Sequence, residues 1–102
     1  MTNGITTNLI VPDVFVDAGY LGLPKFKDLA NWLLFQLHIS LEIRPFPNTR
    51  NDKGYYAYVR KFGRGMVKQH FTLEAKTKKE VMVKAVSKAK DIYLRTSKMG
   101  IC

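Results

Sequence analysis

Cysteine is nearly absent: the only one, Cys102, is the last of 102 residues. That excludes a disulfide framework. Two histidines beside a single thiol also fall short of a structural zinc site. No apolar run approaches the roughly 20 residues that span a bilayer. Residues 1–20 carry Asp13 and Asp17 but no lysine or arginine, so no signal peptide is expected there. Gly4 is not the second residue and Cys102 stands too late for prenylation, so lipid anchoring is not indicated. Repeats and low-complexity segments are lacking. So is a catalytic constellation. No Ser, Cys or carboxylate has triad spacing with His38 or His70. Gly63-Arg64-Gly65 lacks the spacing and the Lys-Ser/Thr of a phosphate loop. The chain is therefore expected not to be an enzyme and to need neither metal nor other cofactor. A reducing, cytoplasmic setting fits the cysteine usage, and a viral or phage origin would look the same.

What is present is apolar substance and positive charge. Hydrophobic residues make up 46% and aromatics 12%, which is a folding composition. The length suits one modest core. Seventeen Lys and Arg face eight Asp and Glu, a formal charge of +9. The charge is unevenly placed. Residues 1–40 hold two basic and three acidic residues, a net of −1; residues 41–102 hold fifteen and five, a net of +10. A basic half of this kind suits a nucleic-acid or other polyanion surface. The alternatives are an acidic protein partner or simply a lysine-rich solvated surface.

The patterning predicts an α+β fold. Residues 1–22 form a tail and an extended arm, in which Pro12 confines NLIVPDVFV to an edge or irregular segment. Residues 23–39 read as a helix opened by Pro24, with Phe26, Leu29, Ala30, Leu33 and Leu37 on its apolar stripe. Trp32 and Phe35 fall off that stripe. They need cover from residues 8–16 or from a second chain, as leaving both wet forgoes roughly 1.5–3 kcal/mol each. They are the candidate protein interface or homodimer seam. Period-two alternation then marks strands at 40–45, 55–62 and 66–75, separated by a loop at 46–54 and a turn at 63–65. Thr77 and Glu80 have the spacing of a capping box, opening a final helix that runs to about residue 96. Residues 97–102 are expected to fray. The order is α-β-β-β-α, a single domain over 23–96. Its three-stranded antiparallel meander carries both helices on one face.

Two groups of residues carry a binding function on this reading. On the open face of the sheet, Ala57, Val59, Val67, Phe71 and Leu73 point inward, which turns Tyr56, Tyr58, Arg60, Lys68 and His70 outward, with Arg44 beside them. Tyrosines stack on bases and cations neutralise phosphates. The second group is Arg50 and Lys53 on the loop, Arg64 on the hairpin, and Lys76, Lys78 and Lys79 at the start of the last helix. Lysines oppose the helix dipole at that end, a conflict that an external phosphate would resolve. Lys84, Lys88 and Arg95 follow along one flank. For each group the competing reading is an ordinary solvated surface.

The order α-β-β-β-α, with TKKEVMVKAVSKA opening the last helix, resembles a double-stranded RNA-binding domain. That family places a Lys-Lys pair at this helix start against phosphates, which implies the role for Lys78 and Lys79. It also implies that the loop with Arg50 and Lys53 reaches a minor groove. The family's alanine-rich run is present only in part, as Val81, Val83, Ala85 and Ala89. The strand-strand-strand-helix portion is also similar to the arm-binding domain of phage integrases, which lays its sheet in a DNA major groove. That likeness implies use of Tyr56, Tyr58, Arg60 and Lys68.

Overall fold

Ala57 and Val59 lie at the centre of the molecule, with no exposed surface, on the middle strand of a three-stranded antiparallel sheet. A computed structural model describes residues 9–98. Its strands are β1 (Ile39–Pro45), β2 (Tyr55–Gly63) and β3 (Met66–Ala75), in the order β1-β2-β3. Ala57 stands between Ile43 and Leu73, and Val59 between Leu41 and Phe71, so the alternation directs one apolar face inward. The final helix, α3 (Lys78–Lys98), lies across that face. Val81, Ala85, Ala89 and Ile92 form its buried stripe. Small residues on both sides, Ala57 against Ala85 and Ala89, leave room for close approach of helix and sheet. The expected α+β architecture is thus the one observed.

The start of α3 is also where the sequence places it, but the second bond of the cap joins the two side chains instead of reaching the Thr77 backbone N–H. The Thr77 hydroxyl accepts from the Glu80 backbone N–H at 3.1 Å and donates to the Glu80 carboxylate at 3.0 Å. The helix continues to Lys98, two residues past the expected end.

The N-terminal half departs further from expectation. Residues 13–17 are not extended but form a short helix, α1 (Asp13–Asp17), with Pro12 just ahead of it. A missing N–H that bars a central strand costs nothing at a helix start, so the same proline admits either outcome. The helix drives Phe15 fully into the core. Gly19, at φ +115°, then reverses the chain and brings Tyr20 back under it. The Tyr20 hydroxyl donates to the Leu23 carbonyl. Burial, followed by the charge of Asp28, pushes this phenol above its ordinary value.

Trp32 meets Phe15 edge-on at 6.0 Å and Tyr20 at 5.5 Å, and Tyr93 of α3 reaches Phe15 at 5.9 Å. The arm therefore shields Trp32, as expected. It does not shield Phe35, which is 73% exposed. The first long helix is shorter than its pattern: α2 (Phe26–Trp32) continues into a π-helical turn, Leu33–Leu37. Pro24 stays outside it, and its carbonyl accepts the Leu9 N–H at 2.7 Å. His38, at φ +58°, ends the helix, and β1 starts at once. The Lys61 ammonium donates to the Leu37 carbonyl at 2.8 Å, satisfying one of the acceptors left at that helix end. Burial holds Lys61 below the usual lysine range.

One strand residue is oriented against expectation. The register runs Lys61↔Gln69 and then Phe62↔Val67, so Lys68 is the extra residue of a β-bulge. Val67 therefore stands opposite Phe62, on the outer face, and is 49% exposed. Each extra residue inverts the alternation beyond it. The hairpin turns on Arg64 and Gly65, both at positive φ, the requirement of a tight two-residue connection. Residues 1–8 and 99–102, parts of the expected terminal segments 1–22 and 97–102, lie outside the described residues.

Candidate nucleic-acid interface

The start of β2 is paired with the end of β3, Tyr55 opposite Ala75. This register fixes where the cations gather. The loop before β2 closes on itself, with the Phe46 N–H donating to the Gly54 carbonyl at 2.9 Å. A Cβ on Gly54 would lie 2.7 Å from the Ala75 carbonyl, so only glycine lets the loop base sit this close to β3. Lys76, Lys78 and Lys79 follow directly from Ala75. Lys53 and these three lysines thus converge on one end of the molecule, all exposed. Among the described residues, none of the four has a carboxylate within ion-pair distance.

Arg50 shares the loop but not the freedom. It binds Asp52 at 2.8 Å and Glu74 at 3.3 Å, with its guanidinium 3.7 Å over the Phe46 ring. The hydrogen bond from Arg50 holds the Asp52 carboxyl below the usual carboxylate range. The arginine staples the loop to β3. Arg64 lies at the other end of the sheet, on the hairpin, and does not join the cluster.

The outer face of the sheet carries a row of rings. Phe46 stacks on Tyr56 at 6.5 Å, Tyr56 meets Tyr58 at 5.1 Å, and Tyr58 meets His70 at 5.3 Å. Arg60 lies 4.9 Å over the Tyr58 ring. Tyr56, Tyr58, Arg60 and His70 are therefore brought together, as the alternation implies. Lys68 is not among them: it sits in the bulge with its stem towards Gly63. The positive charge of this face is partly cancelled. Glu42 accepts from Arg44 at 2.7 Å and from Arg60 at 3.5 Å. That contact raises the Arg44 guanidinium above its ordinary value.

Three residues of this arrangement are not apparent from the sequence alone. Glu42 and Glu74 cancel arginine charge, and Phe46 extends the row of rings. The i, i+2 spacing of Glu42 and Arg44 is an available signal for one of them, since both point to the same face. On the helix flank, Lys84 donates to the Glu74 carbonyl at 2.8 Å, and Asp91 pairs with Lys88 and Arg95. That flank is engaged internally.

No protein-family model matches the chain, and comparison with curated proteins and with solved structures finds no match. No helix among the described residues is long and apolar enough to cross a membrane.

Proposed function

We propose that this protein is a nucleic-acid-binding module that grips the phosphate backbone with Lys53, Lys76, Lys78 and Lys79. The observation that carries the reading is the convergence of these four cations on one end, uncancelled by carboxylate, while the arginines nearby are held in ion pairs. Unpaired ammonium groups attract polyanions by releasing condensed counterions. The order α-β-β-β-α and the lysine pair at the start of α3 support the likeness to double-stranded RNA-binding domains. The rings of Tyr56, Tyr58 and His70 on the outer face add stacking surface rather than net charge, and there unstacked bases are the natural ligand. The module has no catalytic role on this reading.

The test is a binding titration against duplex RNA, duplex DNA and single strands at two salt concentrations. Binding that weakens steeply with salt is expected. Changing Lys78 and Lys79 together to Glu should abolish most of it and leave the fold intact, since a carboxylate in the first turn is favoured by about 0.3–1 kcal/mol. Replacing them by Ala should lower the salt slope of log K by about 0.9 for each duplex phosphate no longer neutralised. Absence of binding to all of these nucleic acids at low salt would sink the reading. A second reading, a protein-interaction module, rests on the exposed Phe35 beside Leu34, also exposed, on the π-helical turn. Concentration-dependent sedimentation that a Phe35→Ser variant abolishes would favour it.

A further inference from the structure

Lys79, Met82, Val83, Val86 and Lys90 recur along α3 at i, i+3, i+4, i+7 and i+11, so they share one flank of the helix. Only Val86 of these is also buried in the core. The arm faces this flank, with Leu9, Ile10 and Pro12 opposite the valines and Phe26 at one side. The bond from the Leu9 N–H to the Pro24 carbonyl fixes the arm there. Between arm and helix runs a groove of about 350 Å³. Ligand sites span roughly 300–1,000 Å³, so this groove lies at the small end of that range.

The lining is mainly apolar, with Ser87 as a neutral polar residue, and cationic at its ends. Lys79 and Lys90 are its charged residues, and no carboxylate joins them. Eleven residues of helix at 1.5 Å each set their Cα atoms about 16 Å apart. The walls are wet, with Ile10 89% and Val83 52% exposed.

We propose that this groove binds an anionic amphiphile, a molecule with one carboxylate-like head and an unbranched apolar tail. The head sits at Lys79, where the first turn of a long helix adds its own positive potential to the ammonium. The tail runs past Met82, Val83 and Val86 towards Lys90. The methylene stem of Lys90 extends the apolar wall while its ammonium stays in water. The groove does not rest on the nucleic-acid reading, but the two sites share Lys79, so an anionic head there would compete with a phosphate.

The experiment titrates the full chain with dodecanoate, below its micelle concentration, and follows the methyl resonances of Met82, Val83 and Val86. Saturable shifts confined to these groups and to the arm are expected. Dodecyltrimethylammonium, with the same tail and the opposite head, should bind roughly tenfold or more weakly. Butyrate, a head without a tail, should not saturate. Val83→Trp fills the groove from an exposed position and should abolish binding with the melting temperature retained. Lys79→Glu should reverse the preference between the two heads. Equal binding of both amphiphiles, absence of saturable binding, or shifts centred on the outer sheet face would overturn the proposal. So would binding of dodecanoate to an Ile5→Asp variant alone, which would assign the groove to the chain's own first residues.

Discussion

Two rows of aromatic rings occupy opposite sides of the sheet, and they behave differently because of what lies between the rings. The inner row, Phe15, Tyr20, Trp32 and Tyr93, belongs to the arm and helices and packs in the apolar core, with the Tyr20 hydroxyl bound to the Leu23 carbonyl. The outer row, Phe46, Tyr56, Tyr58 and His70, is interleaved with Arg50, Arg60 and Glu42. Similar ring-to-ring distances thus serve cohesion on one side and a charged, solvent-facing surface on the other. Cation–π contacts at exposed positions contribute about 0.5–1 kcal/mol, far less than full burial of a large aromatic side chain. The inner row should therefore govern stability and the outer row binding.

The sharpest break is Phe15→Ala. Deleting a wholly buried ring should cost about 3–5 kcal/mol in denaturant unfolding, with nucleic-acid affinity of the folded fraction unchanged. On the outer row, Tyr58→Ala should cost single-strand binding about 1–3 kcal/mol with little change in melting temperature. A stability loss like that of Phe15 would erase the distinction between the rows. Next comes Tyr20→Phe, which removes the bond to the Leu23 carbonyl and should cost about 0.5–1.5 kcal/mol. It also carries a pH signature. The phenol is raised in the folded state, so its contribution is intact below its ordinary value of 10.0 and is lost as pH rises through the folded value. The gap between parent and Tyr20→Phe should therefore close at alkaline pH. The smallest expected effect is that of Glu42→Gln, which frees Arg44 and Arg60. Binding should strengthen slightly, and the salt slope should steepen by up to about 0.9 per phosphate newly met.

Much of this is legible in the sequence, and the failures have local causes. The alternation at 55–62 assigns Ala57 and Val59 inward and the tyrosines outward. Thr77 and Glu80 mark the start of α3 because both partners of that cap lie within one turn. Pro12 is ambiguous, since the property that excludes it from a central strand also qualifies it to precede a helix. What decides is the burial of Phe15 against Trp32, a partner 17 residues away. The bulge at Lys68 leaves no mark in the pattern, so periodicity alone turns Val67 to the wrong face. The convergence of Lys53 with Lys76, Lys78 and Lys79 follows from the antiparallel pairing of β2 with β3, which sets the start of one beside the end of the other. The silencing of Arg50 by Glu74, 24 residues on, requires the register.

The bulge has a consequence for assembly. β3 is an edge strand of ten residues, with Met66 and Val67 exposed near the hairpin. A long, flat edge of this kind invites a strand from another copy to continue the sheet. At Lys68 the regular spacing of N–H and C=O groups along β3 is broken. An incoming strand in register with residues 70–75 falls out of register by residue 66. The irregularity that hides from sequence periodicity thus blunts one of the two edges of the sheet, as bulges do in natural sheets.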